Sequence, residues 1–216
     1  NGTTIDSGST LLLNFTSGAP LSDVTNATGN EFLTMSGVGQ NALGALQVAG
    51  GNNVILAGPI TLSGNTTIGV GTGTLTIQAT APIGGAFNLS YDQDSGTPGA
   101  QGAVIDQAAN TYTGSTDILT GVTLNIDQNT GLGAGTTATV ENGAALQLQG
   151  GITVAQNLVL NAGSTQALTT FSTANGATGL VDSVSGANTM SGTVTLNDST
   201  RIQQTIAVDS GSLTLS

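Results

Sequence analysis

Cysteine, histidine and lysine are absent from this chain of 216 residues, and Arg201 is its only basic residue. Without thiolate or imidazole groups, the chain cannot form disulfides, Ser-His-Asp or Cys-His catalytic groups, or zinc and iron sites built on those ligands. One arginine cannot neutralise the several phosphates that a nucleic acid presents, and it cannot hold the chain on an anionic membrane surface. These absences exclude nucleic-acid binding and most nucleophilic catalysis by side chains.

Charge and long apolar runs are also scarce. Charged residues make up 6% of the chain, against roughly 25% in an ordinary soluble protein, and twelve acids give an acidic net charge of -11. Hydrophobic residues reach 38%, which is too many for a disordered acidic tail. No apolar run approaches the roughly 18 residues that span a bilayer, so we expect no membrane insertion by this segment. We see no signal peptide, and a strand-like Leu213–Leu215 stands at the other end, so we expect a processed protein or a segment of a longer one.

Short strands are what the chain does encode. The 33 glycines and the many Thr, Ser, Asn and Val residues disfavour helices, and no window keeps a 3.6-residue apolar period. Runs such as Leu75-Thr76-Ile77 and Leu146-Gln147-Leu148 alternate aliphatic and small polar residues between Gly, Asn or Asp. This alternation is typical of half-buried β-strands.

A six-residue phrase is repeated along the chain. Ala109-Asn110-Thr111-Tyr112-Thr113-Gly114 returns as Ala187-Asn188-Thr189-Met190-Ser191-Gly192, 78 positions later. Among smaller spacings, Leu124 and Leu146 are 22 apart, Val194 and Leu213 are 19 apart, and Leu-Asn recurs at Asn125, Asn161 and Asn197, 36 apart each time. We interpret 78 as close to four units, and 36 as two units, of about 20 residues.

A period near 20 with two or three short strands predicts a right-handed parallel β-helix of about ten coils stacked about 4.8 Å apart. Aliphatic ladders would fill its narrow core, which accounts for an aromatic content of only 3%. The alternative is an antiparallel β-sandwich with Asn142-Gly143 and Asn175-Gly176 as hairpin turns. We treat residues 1–216 as a single β-helical domain or segment.

Two ranges depart from the alternation. Residues 14–40 carry Phe15, Pro20 and Asp23 and are expected to be an irregular N-terminal part. Residues 80–108 carry Phe87, Asp92, Asp94 and Pro98 and are expected to be a loop excursion from the stack. Such loops are common places for binding surfaces in repeat proteins.

Several stretches resemble the passenger-associated transport repeat of autotransporter passengers and related large bacterial β-helical adhesins. They are Gly73–Ile77, Asn110–Thr116, Gly121–Leu124 and Gly131–Thr136. The best match runs from about Ala108 to Gln149, and the link between Ile77 and Asn110 is longer than is usual in that family. The resemblance implies a right-handed β-helix on the outside of a cell and carries over no catalytic residue.

Sites of chemistry are weakly indicated. Asp92-Gln93-Asp94-Ser95-Gly96 is similar to the opening of a calcium loop but lacks its closing acid, so calcium is only a weak candidate cofactor. Gly69–Gly73 is glycine-rich, but no helix follows it to bind a phosphate. The acids are scattered, which disfavours a glycosidase pair. Asn-x-Ser/Thr triplets begin at Asn1, Asn14, Asn26, Asn65, Asn88 and Asn197 and are hypothetical glycosylation sites. We therefore assign no catalytic, cofactor-binding or metal-binding residue.

Function is expected to follow from the shape. We expect a secreted structural and adhesive protein of the bacterial cell surface that is not an enzyme: a stiff stalk, filament or surface-layer element. It would self-assemble with copies of itself or flanking repeats, end to end or by sharing strands. The alternative is an adhesin module that binds a glycan or protein receptor on a host or neighbouring cell. A carbohydrate-active β-helix enzyme ranks third.

Overall fold

A computed structural model describes residues 2–14, 25–26, 29–93, 101–162, 180–198 and 204–216. Within these ranges the one helical element is a three-residue 3-10 turn, Gln40–Ala42, and no helix is long and apolar enough to cross a membrane. The strands are β1 Gly2–Ile5, β2 Leu11–Leu13, β3 Thr25–Asn26, β4 Gly29–Asn30, β5 Phe32–Gly37, β6 Leu46–Val48, β7 Asn53–Leu56, β8 Ile60–Val70, β9 Thr74–Ile77, β10 Ile83–Gly85, β11 Leu89–Asp92, β12 Gly102–Asp106, β13 Thr116–Ile118, β14 Val122–Ile126, β15 Thr137–Val140, β16 Ala145–Gln149, β17 Thr153–Val154, β18 Asn157–Ala162, β19 Val181–Ser185, β20 Ala187–Met190, β21 Val194–Asp198, β22 Ile206–Val208 and β23 Ser212–Leu215.

The strands form a parallel β-helix with three faces. Face one holds β1, β5, the start of β8, β10, β17, β20 and β23. Face two holds β2, β6, the end of β8, β11, β13, β15, β18 and β21. Face three holds β7, β9, β12, β14, β16, β19 and β22. The chain follows the faces in this order, and neighbouring strands of a face pair in parallel; in the described residues the fifth and sixth coils have no strand on face one. The predicted fold class is confirmed.

The sandwich alternative does not describe the chain. Its proposed hairpin turn, Asn142-Gly143, is a corner that joins β15 on face two to β16 on face three, closed by a hydrogen bond from the Ala144 N–H to the Glu141 carbonyl. The one antiparallel pair in the described ranges is the short β3–β4 hairpin. The other proposed turn, Asn175-Gly176, lies outside the described residues.

Within the described residues, the strands make eight coils and begin a ninth with β23, where the sequence analysis predicts about ten. Leu124 and Leu146 are paired in adjacent coils, as their spacing predicted. The interpretation of the longer spacings as multiples of about 20 residues is wrong, because corner connections differ in length. Asn161 and Asn197 are paired one coil apart rather than two, and Asn110 and Asn188 are three coils apart rather than four.

Two other spacings, from Asn125 to Asn161 and from Val194 to Leu213, separate residues that lie on different faces. Asn125 lies on face three, while Asn161 and Asn197 lie on face two. Val194 pairs on face two and Leu213 on face one, so the separation of these two residues does not measure a coil.

Aliphatic ladders fill the interior. On face three, register places seven inward residues directly over one another: Val54, Leu75, Val104, Leu124, Leu146, Val181 and Ile206. All are buried except Ile206, which lies in the eighth coil and is partly buried. The opposing ladder, on face two, includes Ile68, Tyr91, Ile118 and Val140. Burial of these stacked side chains is the main source of stability.

The two ranges expected to be irregular contain regular strands. β5 lies within residues 14–40, and β10, β11 and β12 lie within 80–108, all paired into the stack. The chain leaves β11 at Asp92, β18 at Ala162 and β21 at Asp198, and the described residues resume just before β12, β19 and β22. These three departures share the corner between faces two and three. Phe15, Pro20, Asp23, Asp94, Pro98 and Arg201 lie outside the described residues.

Candidate functional site

The repeated phrase forms a buried hydrogen-bonded clip between neighbouring coils. Asn110 is buried at the corner before face one, where its Oδ1 accepts a hydrogen bond from the Ile83 N–H at 2.9 Å. Its Nδ2 donates to Oδ2 of Asp106 at 2.8 Å and to the Gly131 carbonyl at 2.9 Å. One amide therefore ties together three successive coils.

Asn188 repeats this arrangement three coils later. Its Oδ1 accepts hydrogen bonds from the N–H groups of Gly151 and Ile152 at 3.0 and 2.9 Å. Its Nδ2 donates to Oγ of Ser183 at 2.9 Å and lies 3.2 Å from the Leu148 carbonyl. Ser183 occupies the same ladder of face three as Asp106, so both asparagines donate to equivalent inward positions of that face.

Two further positions of the phrase are also fixed by the stacking of the coils: one is a core residue and the other a glycine. Tyr112 and Met190 are both buried in the core, and the Tyr112 hydroxyl shares a hydrogen bond of 2.6 Å with Oγ1 of Thr116. A Cβ on Gly114 would lie 2.2 Å from the Phe87 carbonyl carbon, and a Cβ on Gly192 would lie 2.2 Å from the Gln156 carbonyl oxygen. Only glycine permits this approach between coils.

Asp106 is a carboxyl group inside an aliphatic ladder. It is fully buried, and register places it between Ile77 and Ile126. Oδ1 accepts a hydrogen bond from the Ala108 N–H at 2.9 Å, and Oδ2 accepts one from the Tyr91 hydroxyl at 3.3 Å. Burial raises the pKa of Asp106 to about 7, and the charge of Asp127 also raises it; its hydrogen bonds with Ala108, Asn110 and Tyr91 oppose the rise.

Sequence reasoning missed Asp106, although a signal was present. In Ala103-Val104-Ile105-Asp106, the period of two that turns Val104 inward also turns Asp106 inward. Its partners Tyr91 and Asn110 were visible as residues, but their contacts with Asp106 depend on how the coils stack.

The outer wall carries ladders of amides and acids. On face two, Nδ2 of Asn161 donates to Oε1 of Glu141 at 2.8 Å, and Nδ2 of Asn197 donates to Oδ1 of Asn161 at 3.0 Å. Among the asparagines of the Asn-x-Ser/Thr triplets, Asn65 and Asn88 accept hydrogen bonds through Oδ1 from the N–H groups of Asn88 and Ser115 in the following coils. These asparagines hold neighbouring coils in register.

Face three has a similar ladder of Asn125, Gln147 and Asp182. Nδ2 of Asn125 donates to Oε1 of Gln147 at 3.3 Å, and Nε2 of Gln147 donates to Oδ2 of Asp182 at 3.5 Å. Burial raises the pKa of Asp182 to about 6, the charge of Asp209 raises it further, and the hydrogen bond from Gln147 opposes the rise.

Metal binding finds little support in the described part of the chain, where no group of three acids is placed to hold an ion. Asp92 of the expected calcium loop accepts the Gln93 N–H through Oδ1 at 2.7 Å, as in a local turn. Its partner Asp94 lies outside the described residues. Gly69 and Gly71 of the glycine-rich run sit at the end of β8 and the corner after it, and their surroundings are buried.

A shallow groove of about 530 Å³ crosses two coils at the corner between faces one and two. Its lining includes the backbone of residues 133–135 and the side chains of Asn129, Thr130, Thr136, Thr153 and Asn157, all five exposed. Gln156 closes the floor, where its Nε2 donates to the Gly133 carbonyl. None of the described residues that line the groove is an acid or a base, so they can offer hydrogen bonds but no acid–base pair.

The two ends of the described stack differ. In the last coils, Leu196, Val208 and Leu215 continue the inward ladders of faces two, three and one, yet they are 59%, 48% and 57% exposed. In the first coil the inward residues Ile5 and Leu13 are only 4% and 7% exposed. An apolar surface bordered by three strand edges is thus present at the C-terminal end.

No family model, curated protein or solved structure matches the chain. The resemblance to the passenger-associated transport repeat therefore depends on the residues of the chain alone.

Proposed function

We propose that the chain is a rigid structural and adhesive element of the bacterial cell surface, acting as a stalk, fibre or surface-layer component. The observation that carries the proposal is the in-register stacking of coils through parallel sheets, with buried ladders inside and amide ladders outside. A body of this kind resists bending because each coil is bonded to its neighbours on three faces. The residues that resemble the passenger repeat also favour an extracellular location.

Self-association through the C-terminal end is part of this proposal. Among the described strands, β21, β22 and β23 are the last of their faces, and no described strand pairs with their outer edges. The exposed Leu196, Val208 and Leu215 lie between those edges, where a further coil or strand would bury them. The covered side chains of the first coil favour strand sharing at the C-terminal end over simple stacking of two open ends.

Sedimentation velocity over a range of concentrations, combined with electron microscopy, tests this association. We expect the wild-type chain to form dimers or filaments, and the double variant L196D/L215D to remain monomeric, because charges would enter the contact. The matched control is L12D, which changes a similarly exposed leucine on the outer side of β2. A monomeric wild type, or a double variant that assembles as the wild type does, would refute self-association by this end.

The second candidate function is binding of a neutral glycan, and the groove favours it. Its asparagine amides and threonine hydroxyls can both donate and accept hydrogen bonds, as a polyhydroxylated ligand requires. Screening on a glycan array would compare the wild type with T136A/N157A and with T111A, an exposed threonine outside the groove lining. Binding that disappears only in T136A/N157A would support this function, and the absence of any glycan signal from the wild type would exclude it.

A further inference from the structure

A polar layer interrupts the aliphatic core near the middle of the described stack. It consists of Tyr91, Asp106 and Asn110, all buried, which come from β11, from β12 and from the corner that follows β12. Tyr91 lies in the ladder of face two between Ile68 and Ile118, while Asp106 lies in the ladder of face three. The side chains of Tyr91 and Asp106 form a hydrogen bond across the core, so the polar layer extends from face two to face three.

The surroundings of Asp106 give its negative charge little compensation. The titratable groups that act on it are Tyr91, Tyr112 and Asp127, and none of them is a cation at any pH. The ladder neighbours are aliphatic, and the described residues include no base. Three donors face the carboxyl group, but burial in an apolar ladder destabilises the charge more than they stabilise it.

We propose that this polar layer is a pH-dependent weak point, at which the fourth and fifth coils separate locally when Asp106 loses its proton. The protonated acid fits the closed stack, because its neutral carboxyl group can donate to the Tyr91 hydroxyl oxygen and still accept from the Asn110 amide nitrogen. The carboxylate is better solvated in an opened layer, where water reaches it. A rod with this layer is most rigid in mildly acid surroundings and loosens at its middle as the pH rises.

The second copy of the phrase supplies an internal control. There the Asn188 amide donates to Ser183, which cannot ionise, and Met190 stands where the first copy has Tyr112. The two sites share their inward position on face three and their asparagine but differ in the titratable acid. The proposal therefore requires pH-dependent opening around Asp106 between about pH 6 and 7, and little change around Ser183 in that range, where the contribution of its neighbour Asp182 has nearly levelled off.

The direction in which the opening equilibrium changes with pH follows from the number of protons bound by the closed and the opened layer. The closed layer holds a proton on Asp106 up to about pH 7, whereas an exposed aspartate loses its proton near its ordinary pKa of about 4. Opening therefore releases one proton between these values, and the opening equilibrium constant rises about tenfold per pH unit across that window. Above about pH 7, both forms are ionised and the constant levels off.

Amide hydrogen exchange of the whole chain between pH 5 and 8, corrected for the intrinsic exchange rate, measures this constant. Between about pH 6 and 7 we expect the opening constant of the β12 and β14 amides to rise about tenfold and that of the β19 and β20 amides to change little, because Asp182 on β19, with a pKa of about 6, contributes mainly below that range. D106S copies the second site into the first and should abolish the rise. S183D places an acid in the second site and should create such a rise in the opening constant of the β19 amides. A flat profile at β12 in the wild type, or an unchanged slope in D106S, would overturn the proposal.

Carbon-13 NMR of the aspartate carboxyl groups tests the wild type directly and does not depend on the folding of any variant. Asp106 is expected to titrate near neutral pH, well apart from exposed aspartates. Titration of its carboxyl group near pH 4 would overturn the proposal even if hydrogen exchange varied with pH for another reason.

Discussion

Nδ2 of Asn110 donates a hydrogen bond of 2.8 Å to Oδ2 of Asp106, and both side chains are buried in the core of the β-helix. The asparagine belongs to the repeated phrase, and in the second copy of that phrase Asn188 bonds to Ser183 in the same way. The repeat in the sequence is thus a repeat of a coil-to-coil clip. Its removal should weaken the stack far more than removal of a neighbouring polar residue.

Asn110→Ala is expected to destabilise the chain by about 3 kcal/mol, because it leaves the Ile83 N–H, the Gly131 carbonyl and Asp106 each short of a partner. Asn188→Ala should have a similar cost at the other clip. The control, Thr111→Ala, removes an exposed hydroxyl and should change stability by less than about 0.5 kcal/mol. Urea unfolding followed by circular dichroism measures these differences. Equal stability of N110A and T111A would contradict the clip.

Gly114→Ala should destabilise the stack by about 1–3 kcal/mol or more, because the new methyl group would overlap the Phe87 backbone at 2.2 Å. The matched control is Gly50→Ala, where the nearest atom would be the Thr72 hydroxyl at 3.2 Å, a side-chain atom that can move. The melting temperatures of the two variants, from thermal unfolding, measure this difference in stability. If G114A had the same melting temperature as G50A, the coils would not approach each other so closely at Gly114.

Leu124→Ala should cost about 2–5 kcal/mol, since it opens a cavity in a ladder that is filled above and below by Val104 and Leu146. Thr76→Ala, an outward position on β9 two coils away on the same face, serves as the comparison and should cost much less. Denaturant unfolding provides the measurement. Similar losses in both variants would mean that the inward and outward assignments on face three are wrong.

Much of the fold was accessible from the sequence, because a β-helix is built from local features. Alternation in Leu75-Thr76-Ile77 gives the inward face of β9, and the spacing of Leu124 and Leu146 gives the length of one coil. The number of coils was not accessible. It depends on how many residues each corner holds, and corner length leaves the ladders unchanged, as the pairing of Asn161 with Asn197 in adjacent coils shows.

The polar layer could be predicted only in part. Period two places Asp106 inside, but Tyr91 and Asp106 are 15 residues apart, and nothing in their own segments indicates that they meet. Their contact follows from the positions of faces two and three across the core. Proximity of this kind depends on the closure of the whole coil and is not contained in local alternation.

Asp209→Asn is expected to lower the pKa of Asp182 from about 6 toward its ordinary value, because it removes a charge that raises it. A raised aspartate pKa means that stability is greatest at low pH and falls as the pH rises toward about 6, so this fall should become smaller in D209N. Carbon-13 NMR of the Asp182 carboxyl group measures the shift. As the control, Glu141→Gln should lower the raised pKa of Asp117 and leave that of Asp182 in place. An Asp182 pKa that is the same in D209N as in the wild type would contradict this coupling.

Distances along one ladder test the rigid stack most directly. Register on face two places Leu12, Glu141, Asn161 and Asn197 in a single outward column, with Glu141, Asn161 and Asn197 five, six and seven coils from Leu12. The chain has no cysteine, so spin labels can be attached through introduced pairs at Leu12 and each of the other three. Pulsed electron paramagnetic resonance should give narrow distributions centred at about 24, 29 and 34 Å, since each coil adds about 4.8 Å. Broad distributions, or distances that do not increase by one coil at each step, would contradict a rigid β-helical rod.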